Sequence, residues 1–233
     1  MNFFDSAIID FFQHFSRSSW IFDSTINFIS ENHLIKGGAL LIVLWWGWFK
    51  VSEKQEYIRV HITSSFIACF IGLTVARAMA LSLPFRLRPM HDEALNFLLP
   101  HAMNPRLLDG WSSFPSDHAV LFYILAMGVF YISKKLGILA VIYATIFISL
   151  PRIYLGLHYP TDLLGGALIG LIIIYLCNMP FFIKKISKPI VSWSNKKPEY
   201  FYPVFFLISY QIADMFDNSR VFLSFLQSIA ELF

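Results

Sequence analysis

Charge is scarce in this chain. Asp, Glu, Lys and Arg make up 14% of its 233 residues, against 57% hydrophobic residues. A soluble domain of this length has no use for so much apolar surface, so an integral membrane protein is the leading class. The formal net charge of +3 is too small to suggest a nucleic-acid partner. Cysteine is scarcer still: Cys69 and Cys177 lie in apolar runs without C-x-x-C spacing and read as small buried hydrophobes. The start of the chain lacks a basic stretch, and Asp5 and Asp10 interrupt its first apolar run, so no cleavable signal peptide is expected. Internal repeats and low-complexity tracts are absent.

What the chain has in quantity is apolar segments. A bilayer core takes about 20 apolar residues in a helix, and residues 34–51, 57–83, 119–133, 136–151 and 163–182 approach that length. A sixth segment, 200–216, is shorter and carries Asp214. The expected fold is all-α: an integral membrane six-helix bundle over residues 34–216. Residues 3–15 and 20–29 are too short and too interrupted by acids to span. They read as amphipathic helices lying in the interface, within an N-terminal region 1–33. A short C-terminal amphipathic segment, 217–233, has the same character. Residues 90–113 form a long loop, a kind of segment that is usually functional or mobile.

Lysine placement orients this layout. Lys50 and Lys54 fall in the first connection, Lys134 and Lys135 in the third, and Lys184, Lys185, Lys188, Lys196 and Lys197 in the fifth. Nine of ten lysines therefore share one face, which the positive-inside rule makes cytoplasmic. Both termini then lie outside, and Trp45, Trp46 and Trp48 would sit at the inner interface. The opposite, outward face receives three polar clusters: Arg86-Leu87-Arg88-Pro89, Ser113-Phe114-Pro115-Ser116-Asp117-His118, and Arg152 with His158 and Asp162. A cluster on the inner side would have ruled out one shared site.

The residue types suit phosphoryl transfer. Arginine's planar, permanently charged fork grips phosphate oxygens, and Arg88 and Arg152 are the best candidates. Helix N-termini favour anions too, and Ser113-Phe114-Pro115-Ser116-Asp117 looks like a helix start, as do Thr161 and Asp162 behind Pro160. Asp162 follows His158 by four residues, about one helical turn. A carboxylate accepting Nδ1–H leaves Nε2 bare, the form that attacks phosphorus. His118 could protonate the departing oxygen. Asp117 reads as a helix-dipole cap.

These clusters resemble the three motifs of the type-2 phosphatidic acid phosphatase superfamily, K-x-x-x-x-x-x-R-P, P-S-G-H and S-R-x-x-x-x-x-H-x-x-x-D, over roughly residues 34–180. The resemblance implies a membrane lipid phosphate phosphatase that needs no metal or cofactor and passes through a phosphohistidine. His158 would be the nucleophile, Asp162 its orienter and His118 the acid for the leaving group, with Arg88, Ser116 and Arg152 holding phosphate. Three positions depart from the pattern: Asp117 replaces Gly, Pro151 replaces Ser, and Leu81 stands where the first motif has Lys. Arg77, about one turn upstream of Leu81, is the favoured substitute cation, with Arg86 the alternative.

The expected substrate is a membrane lipid phosphate, a polyprenyl diphosphate or phosphoglycerolipid, hydrolysed at the outer face of a plasma membrane. The resemblance favours undecaprenyl diphosphate. Transfer to a second lipid instead of water is the closest alternative. A haloperoxidase would be soluble, a transporter would carry charges at mid-depth in several spans, and a metal hydrolase would not surround its cation with arginines.

Overall fold

The computed structural model describes residues 2–217, and within them every regular element is helical. Two N-terminal helices, α1 (Phe3–Gln13) and α2 (Trp20–Glu31), precede a wide turn at Leu34–Gly38 that leads into α3 (Ala39–Phe49). Then come the long α4 (Gln55–Ser82), α5 (Asp117–Phe130), α6 (Lys134–Tyr143), α7 (Leu150–Tyr154) and α8 (Pro160–Cys177). A short α9 (Pro180–Phe182) precedes α10 (Lys188–Lys196) and α11 (Pro198–Ala213). Between α4 and α5 only two 3₁₀ turns, Pro89–His91 and Glu93–Leu95, interrupt the loop. Apart from Asp217, the C-terminal segment expected at 217–233 lies outside the described residues.

Among the described residues three helices have the length and apolarity to cross a bilayer: Gln55–Ser82, Lys134–Tyr154 and Pro160–Cys177. The middle one extends three residues beyond the expected stop at Pro151. A wide turn at Ala144–Ser149 joins α6 to α7 directly ahead of that proline. Pro151 has no N–H, and its ring would press on an i−4 carbonyl, so widening the turn lets the helix continue. Two shorter apolar helices, Leu34–Phe49 and Asp117–Phe130, stand beside these. The last apolar segment is also trimmed: α11 stops at Ala213, which places Asp214 just past the helix end.

The tryptophans expected at the inner interface divide by helix face. Trp48 is fully buried, stacks on Phe201 and donates its indole N–H to the Tyr202 hydroxyl at 3.1 Å. Trp45, one turn away on the same face, donates to Ser209 Oγ. Only Trp46 points outward, with Lys50 over its ring. The i,i+3 spacing of Trp45 and Trp48 binds α3 to α11.

Helices α5 and α8 pack backbone against backbone. A Cβ placed on Gly166 would lie 2.5 Å from the Ser116 carbonyl oxygen, and one on Gly170 would lie 2.6 Å from the Val120 carbonyl oxygen. Small residues four apart let two helix backbones meet in an apolar setting. The Gly166→Ala variant should lose about 1–3 kcal/mol of stability, since backbone rather than a flexible side chain must move. A thermal melt in detergent reads this; an unchanged midpoint would refute the close approach.

Candidate active site

His158 leaves α7 through a turn that only glycine fits. Gly156 has φ +69°, a left-handed conformation costing other residues roughly 1–2 kcal/mol. A Cβ there would also strike the Phe97 ring at 2.6 Å. The turn closes with Leu157 N–H donating to the Arg152 carbonyl at 2.9 Å, the helix-ending motif expected of a C-terminal glycine. Met90 N–H donates to the Gly156 carbonyl, tying the Arg86–Pro89 loop to the same turn. Arg152, Arg88 and His158 are thereby brought to one place.

The imidazole of His158 is buried, with 3% of its side chain exposed. Its Nδ1–H donates to the Ser113 carbonyl oxygen at 2.8 Å. The Asp162 carboxylate, expected as that partner, stands farther away at 3.8 Å. Its two oxygens are otherwise engaged: Oδ2 accepts the Tyr159 N–H at 2.8 Å, and Oδ1 accepts Arg86 Nη1 at 2.5 Å. Asp162 is therefore a helix cap, a counter-ion of Arg86 and a near neighbour of the imidazole at once. On the other edge of the ring, Arg88 Nη1 lies 3.3 Å from Nε2. A guanidinium only donates, so Nε2 carries its lone pair.

Arg88 is fixed by carbonyls. Nε donates to Trp111, Nη1 to Leu157 at 2.6 Å and Nη2 to Ser112. Arg152 is 6% exposed; its Nη2 donates to the Ser30 carbonyl and faces His118 Nε2, while its Nε is buried without an acceptor. His118 turns Nδ1 to Asp117 Oδ1 at 3.1 Å, and the same oxygen accepts the His118 N–H at 2.9 Å. Asp117 thus orients the ring as well as sitting in the first turn of α5. Ser116 is wholly buried and accepts the Ala119 N–H at α5's start, so its hydroxyl serves as the helix cap.

The two other cations named from sequence differ in their surroundings. Arg77 is exposed and stacks on Trp111, 3.8 Å from the ring centroid. Arg86 bridges two fully buried carboxylates, Asp162 at 2.5 Å and Asp5 at 2.9 Å. Asp5, on α1, also accepts Thr161 N–H and Thr161 Oγ1–H. In the sequence it is an acid interrupting an apolar run. An acid recurring in a short apolar helix was the available signal, but Arg86 and Thr161, the partners that tie it to the site, lie more than 75 residues away.

Two cavities share His158, Arg88 and Asp117 in their walls. A cavity of about 600 Å³ runs along α4 past Phe70, Leu73, Arg77 and Leu81 to Arg88 and His158. A second, of about 260 Å³, is the more polar of the two and carries charged groups of both signs: Lys36, Arg88 and Arg152 with His118 and His158, and the acids Glu31, Asp117 and Asp217. Among the described residues no group of three or more His, Cys, Asp or Glu is placed to hold a metal ion.

Burial pushes His158 below the ordinary imidazole value of 6.5, with Arg88 adding to the effect and Asp162 opposing it. Its neutral form therefore persists below that pH. If bare Nε2 is needed, the acid limb of a kcat/KM profile falls below pH 6.5; a limb above that value would contradict the burial. The Arg86→Ala variant strands two buried carboxylates and should lose about 3–5 kcal/mol of stability. A melting midpoint equal to the parent's would show that those acids reach water.

Comparison with known proteins follows the same residues. Residues 82–184 match the model of the PAP2 superfamily, a segment containing all three polar clusters. The chain is 27% identical over 191 residues to the undecaprenyl-diphosphatase BcrC of Bacillus subtilis, covering 78% of this chain and 91% of that one. It is 32% identical over 155 residues to the Escherichia coli protein named "Putative undecaprenyl-diphosphatase YbjG", covering 66% and 70%. Phosphatidylglycerophosphatase B of Bacillus subtilis is 29% identical over 98 residues, 39% of this chain and 44% of that protein. No solved structure matches. With that likeness reaching across most of two relatives, and its motif residues gathered around one pair of cavities, the chain belongs to the PAP2 superfamily.

Proposed function

We propose that this protein hydrolyses the phosphate or diphosphate of a membrane lipid through a phosphohistidine on His158, with undecaprenyl diphosphate as the favoured substrate. The observation that carries the reading is Nε2 of His158: a lone pair held opposite Arg88, where an apolar cavity and a polar one meet. A lipid phosphate has those two halves. Its tail fits the space along α4, and its phosphate fits among the arginines.

In the first half-reaction Nε2 attacks phosphorus as the bond to the leaving oxygen breaks. Arg88 and Arg152 stabilise charge on the phosphoryl oxygens, the kind of fixed electrostatic support that is commonly the largest catalytic contribution. His118 gives a proton to the leaving oxygen. In this structure Arg152 occupies its Nε2; phosphate drawing Arg152 onto its oxygens would free that nitrogen to take a proton from solvent, and Asp117 would support the imidazolium so formed until the leaving oxygen takes that proton. In the second half-reaction neutral His118 takes a proton from water, whose oxygen attacks phosphorus and returns His158. Asp162 and the Ser113 carbonyl keep the His158 proton on Nδ1 throughout. Arg77 lines the route to the site and would meet substrate before the catalytic groups do.

The same reading places six helices across the membrane: the three long ones, the two shorter apolar helices and α11. The catalytic end faces outward, and the lysine-rich connections face the cytoplasm. Helices α1 and α2 would rest in the outer interface over the site. The neighbouring reaction, transfer to a second lipid, shares every step but the acceptor.

The His158→Ala variant should release phosphate from purified polyprenyl diphosphate at least about 10³-fold more slowly than the parent, as loss of a nucleophile does. Parent activity should persist in chelator and fall with vanadate. Residual turnover near the parent's would remove His158 as nucleophile. Labelled phosphate appearing on lipid rather than in water would select the transferase.

A further inference from the structure

Lys36 is the one lysine outside the three lysine-rich connections, and it is 4% exposed. It sits on the wide turn that opens the first apolar helix, where Ala39 N–H donates to the Leu34 carbonyl. Gly37 holds that turn in place: a Cβ on it would lie 2.6 Å from Ala213 Cα, so the turn is pressed against the end of α11. Wide turns of this kind often mark functional sites. Here the turn delivers Lys36 into the wall of the polar cavity, beside Arg152, Arg88, His118 and His158.

The ammonium makes no hydrogen bond or ion pair among the described residues, although Glu31, Asp117 and Asp217 contribute to the field around it. Other buried charges differ in this respect. Asp5 and Asp162 share Arg86, and Asp23 accepts the Tyr154 hydroxyl and two backbone N–H groups. A buried ammonium without a partner is costly. Across the cavity, Arg152 Nε is buried without an acceptor. Two cationic groups with unused donors thus border one space of about 260 Å³.

Leu81, Arg86 and Arg77, the positions near the first motif's cation, do not supply this charge. Leu81 is 74% exposed, Arg86 is held between two carboxylates, and Arg77 stacks on Trp111.

We propose that Lys36 and Arg152 form an anion subsite for a phosphate group beside the catalytic pair, with its cation brought from the first apolar helix. The proposal rests on the phosphatase reading of the site. The phosphate can be the second one of a lipid diphosphate or the inorganic phosphate product, because both present the same oxygens to the same donors.

The test compares Lys36→Met and Lys36→Arg with the parent on a polyprenyl diphosphate and the matching monophosphate, with inorganic phosphate as inhibitor. Losing one charge-assisted contact should cost roughly 10–100-fold. A fall in kcat/KM for the diphosphate alone assigns the subsite to the second phosphate. An equal rise in the inhibition constant of inorganic phosphate on both substrates assigns it to the product. Lys36→Arg should recover part of either effect, which a packing role would not allow. A folded Lys36→Met protein with parental selectivity and parental phosphate inhibition overturns the proposal.

A second measurement uses the unmodified protein and does not depend on the variants folding. Millimolar inorganic phosphate should slow reductive methylation of Lys36, read by mass spectrometry, relative to chloride at equal ionic strength. Equal labelling in the two salts overturns the subsite. A parent that releases no phosphate from either lipid would instead defeat the phosphatase reading, and phosphate protection of Lys36 would still be observable.

Discussion

The backbone contact between α5 and α8 is the constraint on which the site depends. Gly166 and Gly170 bring α8 against the Ser116 and Val120 carbonyls. At the top of the same seam, Ser116 N–H donates to the Asp162 carbonyl at 3.2 Å. His118 begins one of these helices and His158 immediately precedes the other. Side chains on two separate helices can act on one phosphorus atom only if the helix starts are held together. A backbone seam does this more rigidly than a side-chain contact could, because it has no rotamers to change.

Around that seam the protein uses charge where composition promised little. Arg86 bridges the acids of α1 and α8, and Asp23 on α2 accepts the Tyr154 hydroxyl together with the N–H groups of Arg17 and His101. The first two helices are therefore fastened to the end of the molecule that holds the candidate site by buried acids instead of resting on it through apolar surface alone. Asp162 shows how much one carboxylate can combine. It caps α8, neutralises Arg86 and lends a negative field to His158, while a backbone carbonyl takes the imidazole proton. A carbonyl cannot itself be protonated in the working pH range, so the tautomer stays set even when the acid's charge is shared elsewhere.

The spacing of Arg152, His158 and Asp162 was readable because it is a property of one turn and the helix that follows. The helix start within residues 113–117 and the acid at Asp117 in its first turn were readable for the same reason, whereas Ser116, expected to hold phosphate, is the cap. Helix positions were legible from apolar runs, though their ends moved: Pro151 was crossed by a widened turn, and α11 stopped before Asp214. Trp48 looked like an interfacial residue and is core, since nothing in the sequence says which face of α3 meets α11. Lys36 was visible only as the exception in an otherwise one-sided distribution of lysines.

Sequence by itself determined the all-helical, apolar character of the chain, the three polar clusters and the identities of the groups fit for phosphate chemistry. These follow from composition and from interactions that reach no farther than a turn or two. Tertiary structure alone decided that Ser113 holds the His158 proton, that Asp5 braces Arg86 beside Asp162, and that Lys36 enters the polar cavity. Each of those joins residues between 45 and more than 100 positions apart. Such pairs are selected by how whole helices fit together, and no local pattern encodes that fit.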